Sequence, residues 1–489
     1  MSKLTQLATT ATTRRYELIA LITGFVLMAY ELAASRVLAP YIGSSTYVWT
    51  SVIGVMIGAL SAGYALGGML ADRRVQNTDV ALLLQASALG VAVTLMFADS
   101  CLSLISQYIN DPRVQGLSAS VLLFLPASFA LGMIGPYLAR LRNVSLATTG
   151  RAVASLSALN AVGGILGTFG VGFILFGYFG TKQTLVLIIV LLIGASWLAA
   201  PWQHITRLRV AGSVAILLVA LSQLVPLPSK FLIADIDTPS AHYRVVDGAY
   251  KEQLTRLLVT GPHGAQSGVY SNGSPDLVFS YTQQMAKVVA ASPQPQRILI
   301  LGGGAFTLPE YMAKHYPHTQ VDVVEIDPHL AAIAQKYFRY QPQPNIRVIS
   351  RDARSFLNTN QTRYDVILVD VYNETSIPFA LATSHYADRL HASLQPQGAV
   401  VANVIAGLNP ACAPLLGGLH ASYHHDFAQH RVFPLEDPRL QNTQNVVITY
   451  SNVSLHYLDQ LHPATARIPA YPPFTDNFAP VERFQQNCH

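Results

Sequence analysis

Two kinds of apolar pattern divide the chain. In the first half, apolar residues run almost unbroken near 18–38, 48–71, 80–98, 117–139, 153–177, 181–199 and 210–227. Runs of this length match the ~20 residues a helix needs to cross a bilayer, so they predict an all-α transmembrane bundle of about seven helices over 1–230. Beyond Lys230 the runs shorten and turn residues bound them. HYRVVDG, LTRLLVTG and SGVYSNG predict a small antiparallel β-region within 231–280. A helical stretch at 281–291 leads into a strand at 298–301, then Gly302, Gly303 and Gly304, a helical pattern to Tyr316, and a second strand at 321–326. Strand, glycine turn, helix, strand is one βαβ unit of a parallel sheet. Further strands follow at 345–350, 364–370 and 398–403. The expected second domain, 231–489, is therefore α/β and Rossmann-like, with its core in 281–489.

Composition sharpens the division. Charged residues make up 12% and hydrophobic ones 51%, a balance typical of membrane proteins. The net charge of +5 is carried by short loops between apolar spans, so no nucleic-acid partner is implied. Lys3, Arg14 and Arg15, then Arg73 and Arg74, then Arg140, Arg142 and Arg151, then Arg207 and Arg209 all fall on one side, the cytoplasmic one by the positive-inside rule. Seven spans would put the second domain on the opposite face, whereas supply of a nucleoside cofactor favours the cytoplasm. The first span is read as a retained helix in a cell (inner) membrane, not a cleaved signal. It carries Glu31 and Arg36, either a functional site or a structural pair. Gly54 with Gly58 and Gly63 with Gly67 are spaced to permit close helix contact. Of the three cysteines, Cys101, Cys412 and Cys488, the last two could pair, but spacing does not require it. No metal is expected: His424 and His425 are adjacent and point apart.

The chemistry gathers at strand ends. In open α/β sheets ligands bind off the carboxyl ends of the strands. Gly302, Gly303 and Gly304, Glu325, Asp352 and Asp370 all arrive at that edge. Glycines let backbone approach a ligand, and Glu325, roughly 20 residues past the turn, is placed to accept from ribose hydroxyls. No lysine and Ser/Thr pair follows the glycines, which excludes a phosphate-cradling loop. One acid at a strand end is usually a helix cap; four elements converging point to a nucleoside site.

From Asp235 to Asn403 these motifs resemble the spermidine synthase family, the polyamine aminopropyltransferases: LGGG, VVEID, RDAR, YDVILVD, IPFALATSHYADRL and LQPQGAVVAN, with a weaker tail at TDNFAPVE. The first half resembles the membrane region of fusions that join a transporter-like bundle to such a domain. The resemblance implies that Glu325 binds ribose, Asp352 and Ala353 meet the adenine, Pro378 lies beside the nucleoside, Tyr281 lines the amine pocket, and Asp370 is the catalytic base. It implies decarboxylated S-adenosylmethionine or S-adenosylmethionine as co-substrate, a polyamine or other small amine as acceptor, and leaves room for a homo-oligomer. Departures fall on the cation-binding half. The family's fourth turn residue, an acid that holds the aminopropyl ammonium, is Ala305. Its second acid after the base is Asn373, with Glu374 adjacent as a substitute. A glutamine is replaced by Ala241 and a histidine by Thr282. The expected activity is aminopropyl transfer. Consumption of intact S-adenosylmethionine, by methyl transfer or cleavage, and a transporter or sensor that only binds nucleoside or polyamine are the alternatives.

Overall fold

Long apolar runs become helices because, away from water, every backbone N–H and C=O must be satisfied within its own segment. The computed structural model describes residues 3–109, 111–142, 149–200, 207–224, 231–261, 264–371, 377–486 and 488. It divides into two units, 1–228 with 237–239, and 229–236 with 240–489.

The first unit is helical: α1 (Lys3–Ile42), α2 (Thr46–Arg73), α3 (Asn77–Tyr108), α4 (Pro112–Leu123), α5 (Leu125–Arg142), α6 (Thr149–Gly170), which passes through a π-turn into α7 (Phe176–Tyr178), then α8 (Gly180–Ala199) and α9 (Arg207–Ser222). The expectation of about seven spanning helices is corrected. Five helices among the described residues are long and apolar enough to cross a membrane, or six if the bent pair α4–α5 is one span. That pair bends by 54° where Pro126 lacks the N–H that would continue the ladder. The remaining candidate, α9, has 16 residues, only about 24 Å of helix.

Small residues set the closest helix approaches. A Cβ on Gly63 would stand 2.3 Å from the Phe129 carbonyl oxygen, and one on Gly67 would stand 2.7 Å from Met133 Cα, so α2 and α5 pack backbone to backbone. Gly163 and Gly167 do the same for α6 against Leu21 and Phe25 of α1. Gly54 and Gly58, by contrast, face open space. Outward positions remain apolar, with Ile57, Met69, Leu82, Leu122, Ile165 and Phe173 all exposed. Glu31 and Arg36, five apart, lie on different sides of α1, and the Arg36 guanidinium sits 4.5 Å from the Phe176 ring centroid.

The second unit opens with a four-stranded sheet, β1 (Leu232–Asp237), β2 (His242–Tyr250), β3 (Gln253–Val259) and β4 (Ser267–Tyr270), in that spatial order. After α10 (Ser280–Ala291) come β5 (Arg297–Leu301), α11 (Thr307–His315), β6 (Gln320–Glu325), α12 (Leu330–Phe338), β7 (Ile346–Ser350), α13 (Ala353–Thr359), β8 (Tyr364–Val369), α14 (Ser384–Ala392), β9 (Leu394–Ala406), α15 (Ala413–His424), β10 (Gln429–Pro434), β11 (Gln444–Ser451) and α16 (Val481–Gln486). The seven-stranded sheet has the order β10-β11-β9-β8-β5-β6-β7. The βαβ reading holds for β5 to β9, which run parallel, but the sheet is mixed: β11 pairs antiparallel with β9, and β10 antiparallel with β11. The central parallel strands β5 and β8 are almost entirely buried, as expected where helices cover both faces, whereas the edge strand β7 is partly exposed. The first strand, β5, sits between β6 and β8, so chain direction across the sheet reverses there and a crevice opens at the carboxyl ends. Cys412, at the start of α15, and Cys488 form a disulfide with Cα atoms 4.7 Å apart.

The glycine contacts make a matched test. Gly63→Val forces a side chain into the α5 backbone, an overpacking cost of about 1–3 kcal/mol, whereas Gly58→Val, on the same helix, meets nothing. Thermal unfolding in detergent should show a clear fall in Tm for the first and a small change for the second; equal shifts would contradict the α2–α5 contact.

Candidate active site

The turn after β5 is shaped by what its residues lack. Gly302 has φ +94° and Gly304 φ +53°, conformations that favour glycine. A Cβ at Gly302 would lie 2.2 Å from the backbone oxygen of Asp370. The ends of β5 and β8 therefore close on each other, and their loops open one cavity of about 580 Å³. Gly302, Gly303, Gly304, Glu325, Asp352, Ala353, Asp370, Pro378 and Tyr281 all line it. Asn373 and Glu374 fall outside the described residues.

Glu325 ends β6 with its carboxylate fixed by backbone. Gly303 N–H donates to one oxygen at 2.7 Å and Asp327 N–H to the other at 2.9 Å. Burial pushes its pKa above the usual carboxylate range, and these two bonds pull it back. The lone pairs left over can still accept from ligand hydroxyls. Beside it, exposed Ile326 with Ala353, Pro378 and Leu381 gives the cavity an apolar wall. Asp352 is a helix cap as well as a wall residue, accepting from Ser355 N–H at 2.8 Å at the start of α13.

Asp370, just beyond β8, is held differently. Tyr281 O–H donates to its Oδ2 at 3.1 Å and Asn403 Nδ2 to its Oδ1 at 3.2 Å. Neither donor carries charge. Burial raises the carboxyl to about 6, and the bonds from Asn403 and Tyr281 lower it only partly. The Tyr281 hydroxyl also reaches the Gln266 carbonyl at 3.2 Å, and burial, then the adjacent Asp370 carboxylate, pushes its own pKa well up.

Sequence reasoning missed several wall residues. Asn403 closes the expected strand 398–403, but β9 runs on to Ala406, so Asn403 lies inside the strand and the strand-end signal does not mark it. Its Oδ1 is buried without a hydrogen-bond partner. Tyr243, Tyr250, Gln266 and Ser267 come from the small sheet, and only long-range packing brings them here. Ala305 is corrected in the other direction. It is 1% exposed, packs in the core with Phe306 and Leu308, and is not on the cavity wall. Beside Gly304 stands the Ser267 hydroxyl, 3.4 Å from that of Thr307. The wall carries three carboxylates, Glu325, Asp352 and Asp370, against one guanidinium, Arg351, among the described residues, so the cavity suits cationic ligands.

Against known families, residues 278–404 match the spermine/spermidine synthase domain. The chain carries a spermine/spermidine synthase domain. A polyamine aminopropyltransferase of Vibrio vulnificus is 35% identical over 133 residues, 27% of this chain and 44% of that one. Polyamine aminopropyltransferase 1 of Streptomyces coelicolor is 24% identical over 401 residues, 76% of this chain and 72% of that one. Putrescine N-methyltransferase 2 of Nicotiana attenuata is 30% identical over 130 residues, 25% of this chain and 34% of that one. The chain thus spans less than half the length of the Vibrio relative, and the strongest likeness lies in the sheet that carries the cavity.

The raised pKa of Asp370 has a signed consequence for the spermine/spermidine synthase domain. Between the unfolded value near ~4 and the folded value of about 6, the folded state keeps a proton the unfolded state has lost. Stability from this group is therefore lost as pH rises through that window and is level above it. The stability of the unmodified protein relative to Asp370→Asn should fall from pH 4 to 6 and then flatten; a difference independent of pH would place the carboxylate elsewhere.

Proposed function

We propose that this chain is a membrane-embedded transferase that moves the aminopropyl group of decarboxylated S-adenosylmethionine to a polyamine acceptor. The observation that carries the reading is Asp370, a half-buried carboxylate held among the described residues by two neutral donors, in a cavity that also contains Glu325. The relatives named polyamine aminopropyltransferase support the same reaction class. Glu325 accepts from the ribose hydroxyls, and the adenine packs against Ile326, Ala353 and Pro378, with Asp352 at its edge. Tyr281 and Asn403 orient Asp370. The acceptor nitrogen attacks the carbon next to the sulfonium. The new C–N bond forms as the C–S bond breaks, the electron pair returns to sulfur, and Asp370 takes the proton from nitrogen. A carboxylate near 6 accepts that proton better than an ordinary one. Asn373 and Glu374 remain candidates for holding the acceptor amine.

A second reading is transfer of methyl from intact S-adenosylmethionine. The Nicotiana relative, named a putrescine N-methyltransferase, favours it. Product analysis separates the two. Incubation of the full-length protein with each donor and a diamine should give methylthioadenosine and a longer polyamine, and Asp370→Asn should slow this by at least about 100-fold. S-adenosylhomocysteine as the product would select methyl transfer, and unchanged donor would reduce the chain to a binding protein.

We place the helical unit in a membrane, supported by its outward apolar side chains, and the catalytic domain in the cytoplasm. Six crossings return the chain to the side carrying Arg14 and Arg15, and α9 is shorter than the ~30 Å of hydrocarbon. Six crossings thereby put the domain on the side of the basic loops, where seven would put it opposite. Proteolysis near Lys251 should cut in inverted vesicles and not in right-side-out ones. Cleavage only in right-side-out vesicles, with Cys412 and Cys488 bonded in protein trapped by alkylation, would put the domain in an oxidising compartment instead.

A further inference from the structure

Three histidines far from one another in role, though not in sequence, meet beside the edge of the sheet. His420 and His424 are four apart near the end of α15, so they share one helix face. His430 stands second in β10, the edge strand. Ring centroids lie 5.1 Å apart for His420 and His424, 4.5 Å for His420 and His430, and 4.9 Å for His424 and His430. One ring nitrogen from each falls within 4.8 Å of the others. The three rings are half-buried, and none lines the cavity described above.

Two features go beyond packing. Nδ1 of His424 is buried with no hydrogen-bond partner among the described residues, an unfavourable state for a buried polar atom unless something else satisfies it. Nδ1 of His420 lies 3.3 Å from the Tyr450 hydroxyl, a contact that fixes ring orientation as outer partners of metal ligands do. We propose that His420, His424 and His430 bind one divalent transition-metal ion, with zinc the reference ion. Three imidazoles with an open, solvent-facing fourth position match the donor set such ions prefer. At Zn–N distances of about 2.0–2.1 Å the nitrogens would sit roughly 3.3 Å apart, so modest side-chain rotations close the site. Bound metal would clamp α15 to β10, a strand with a neighbour on one side only. The adjacent group of Asp388, His425 and Asp426 is more exposed and serves as the control.

The experiment uses full-length protein in detergent, with any polyhistidine tag removed and metal stripped, titrated with Zn2+ alone. One ion per chain is expected. Affinity should drop at least about tenfold in each of His420→Gln, His424→Gln and His430→Gln, and stay unchanged in His425→Gln. Zinc should raise Tm in the unmodified protein and not in His424→Gln. X-ray absorption at the zinc edge of the unmodified protein, which needs no variant to fold, should show imidazole nitrogens at about 2.0–2.1 Å. No stoichiometric zinc, a zinc shell without imidazole, or equal loss in His425→Gln would each overturn the site.

Discussion

The turn after β5 can close only because no Cβ stands at Gly302. The Asp370 backbone oxygen occupies the space that side chain would need. This single approach draws the ends of β5 and β8 together. It also presents the next N–H, that of Gly303, to Glu325 at the end of β6. Three strand ends are thereby locked in one place by backbone geometry, and the side chains at them need little further support. The buried, left-handed Phe306 that follows holds the turn against the core, so the strain of that conformation is borne by packing.

Two aspartates, Asp322 within the sheet and Asp370 just beyond β8, show how surroundings assign roles. Asp322, 1% exposed, accepts from the Arg347 guanidinium at 2.9 and 2.6 Å and from the Tyr364 hydroxyl at 2.8 Å. A cation and a hydroxyl satisfy it, and it ties β6 to β7. Among the described residues Asp370 has Tyr281 and Asn403, both neutral. No cation compensates its charge there, burial raises its pKa, and it faces a cavity. Residue type alone does not separate these two carboxylates; the charge of the partner does.

The helical unit is built to a different rule. Its inward contacts use Gly63, Gly67, Gly163 and Gly167 to bring backbones together, while large apolar side chains point outward. A water-soluble bundle reverses that arrangement, hiding its large apolar residues inside. The second unit follows the ordinary rule, with its sheet strands apolar and covered.

Local pattern was enough to read the two halves, the parallel strands β5 to β9, the glycine turn, and the strand-end residues Glu325, Asp352 and Asp370. Strand ends and turns are written in runs of a few residues, and the period of the apolar pattern carries them. Four features needed the tertiary structure. The antiparallel pair β10 and β11 depends on which edge remains free after the parallel strands have paired. The inward direction of Ala305 depends on the left-handed turn beside it. Tyr243, Gln266 and Ser267 enter the cavity only when the small sheet packs over the large one. The histidine trio hid behind the neighbouring pair His424 and His425; the i,i+4 spacing of His420 and His424 was legible, but its third member lies across a turn on another element. Short-range periodicity determines elements and their ends, whereas which side chains from different elements meet is decided by packing distances the sequence does not print.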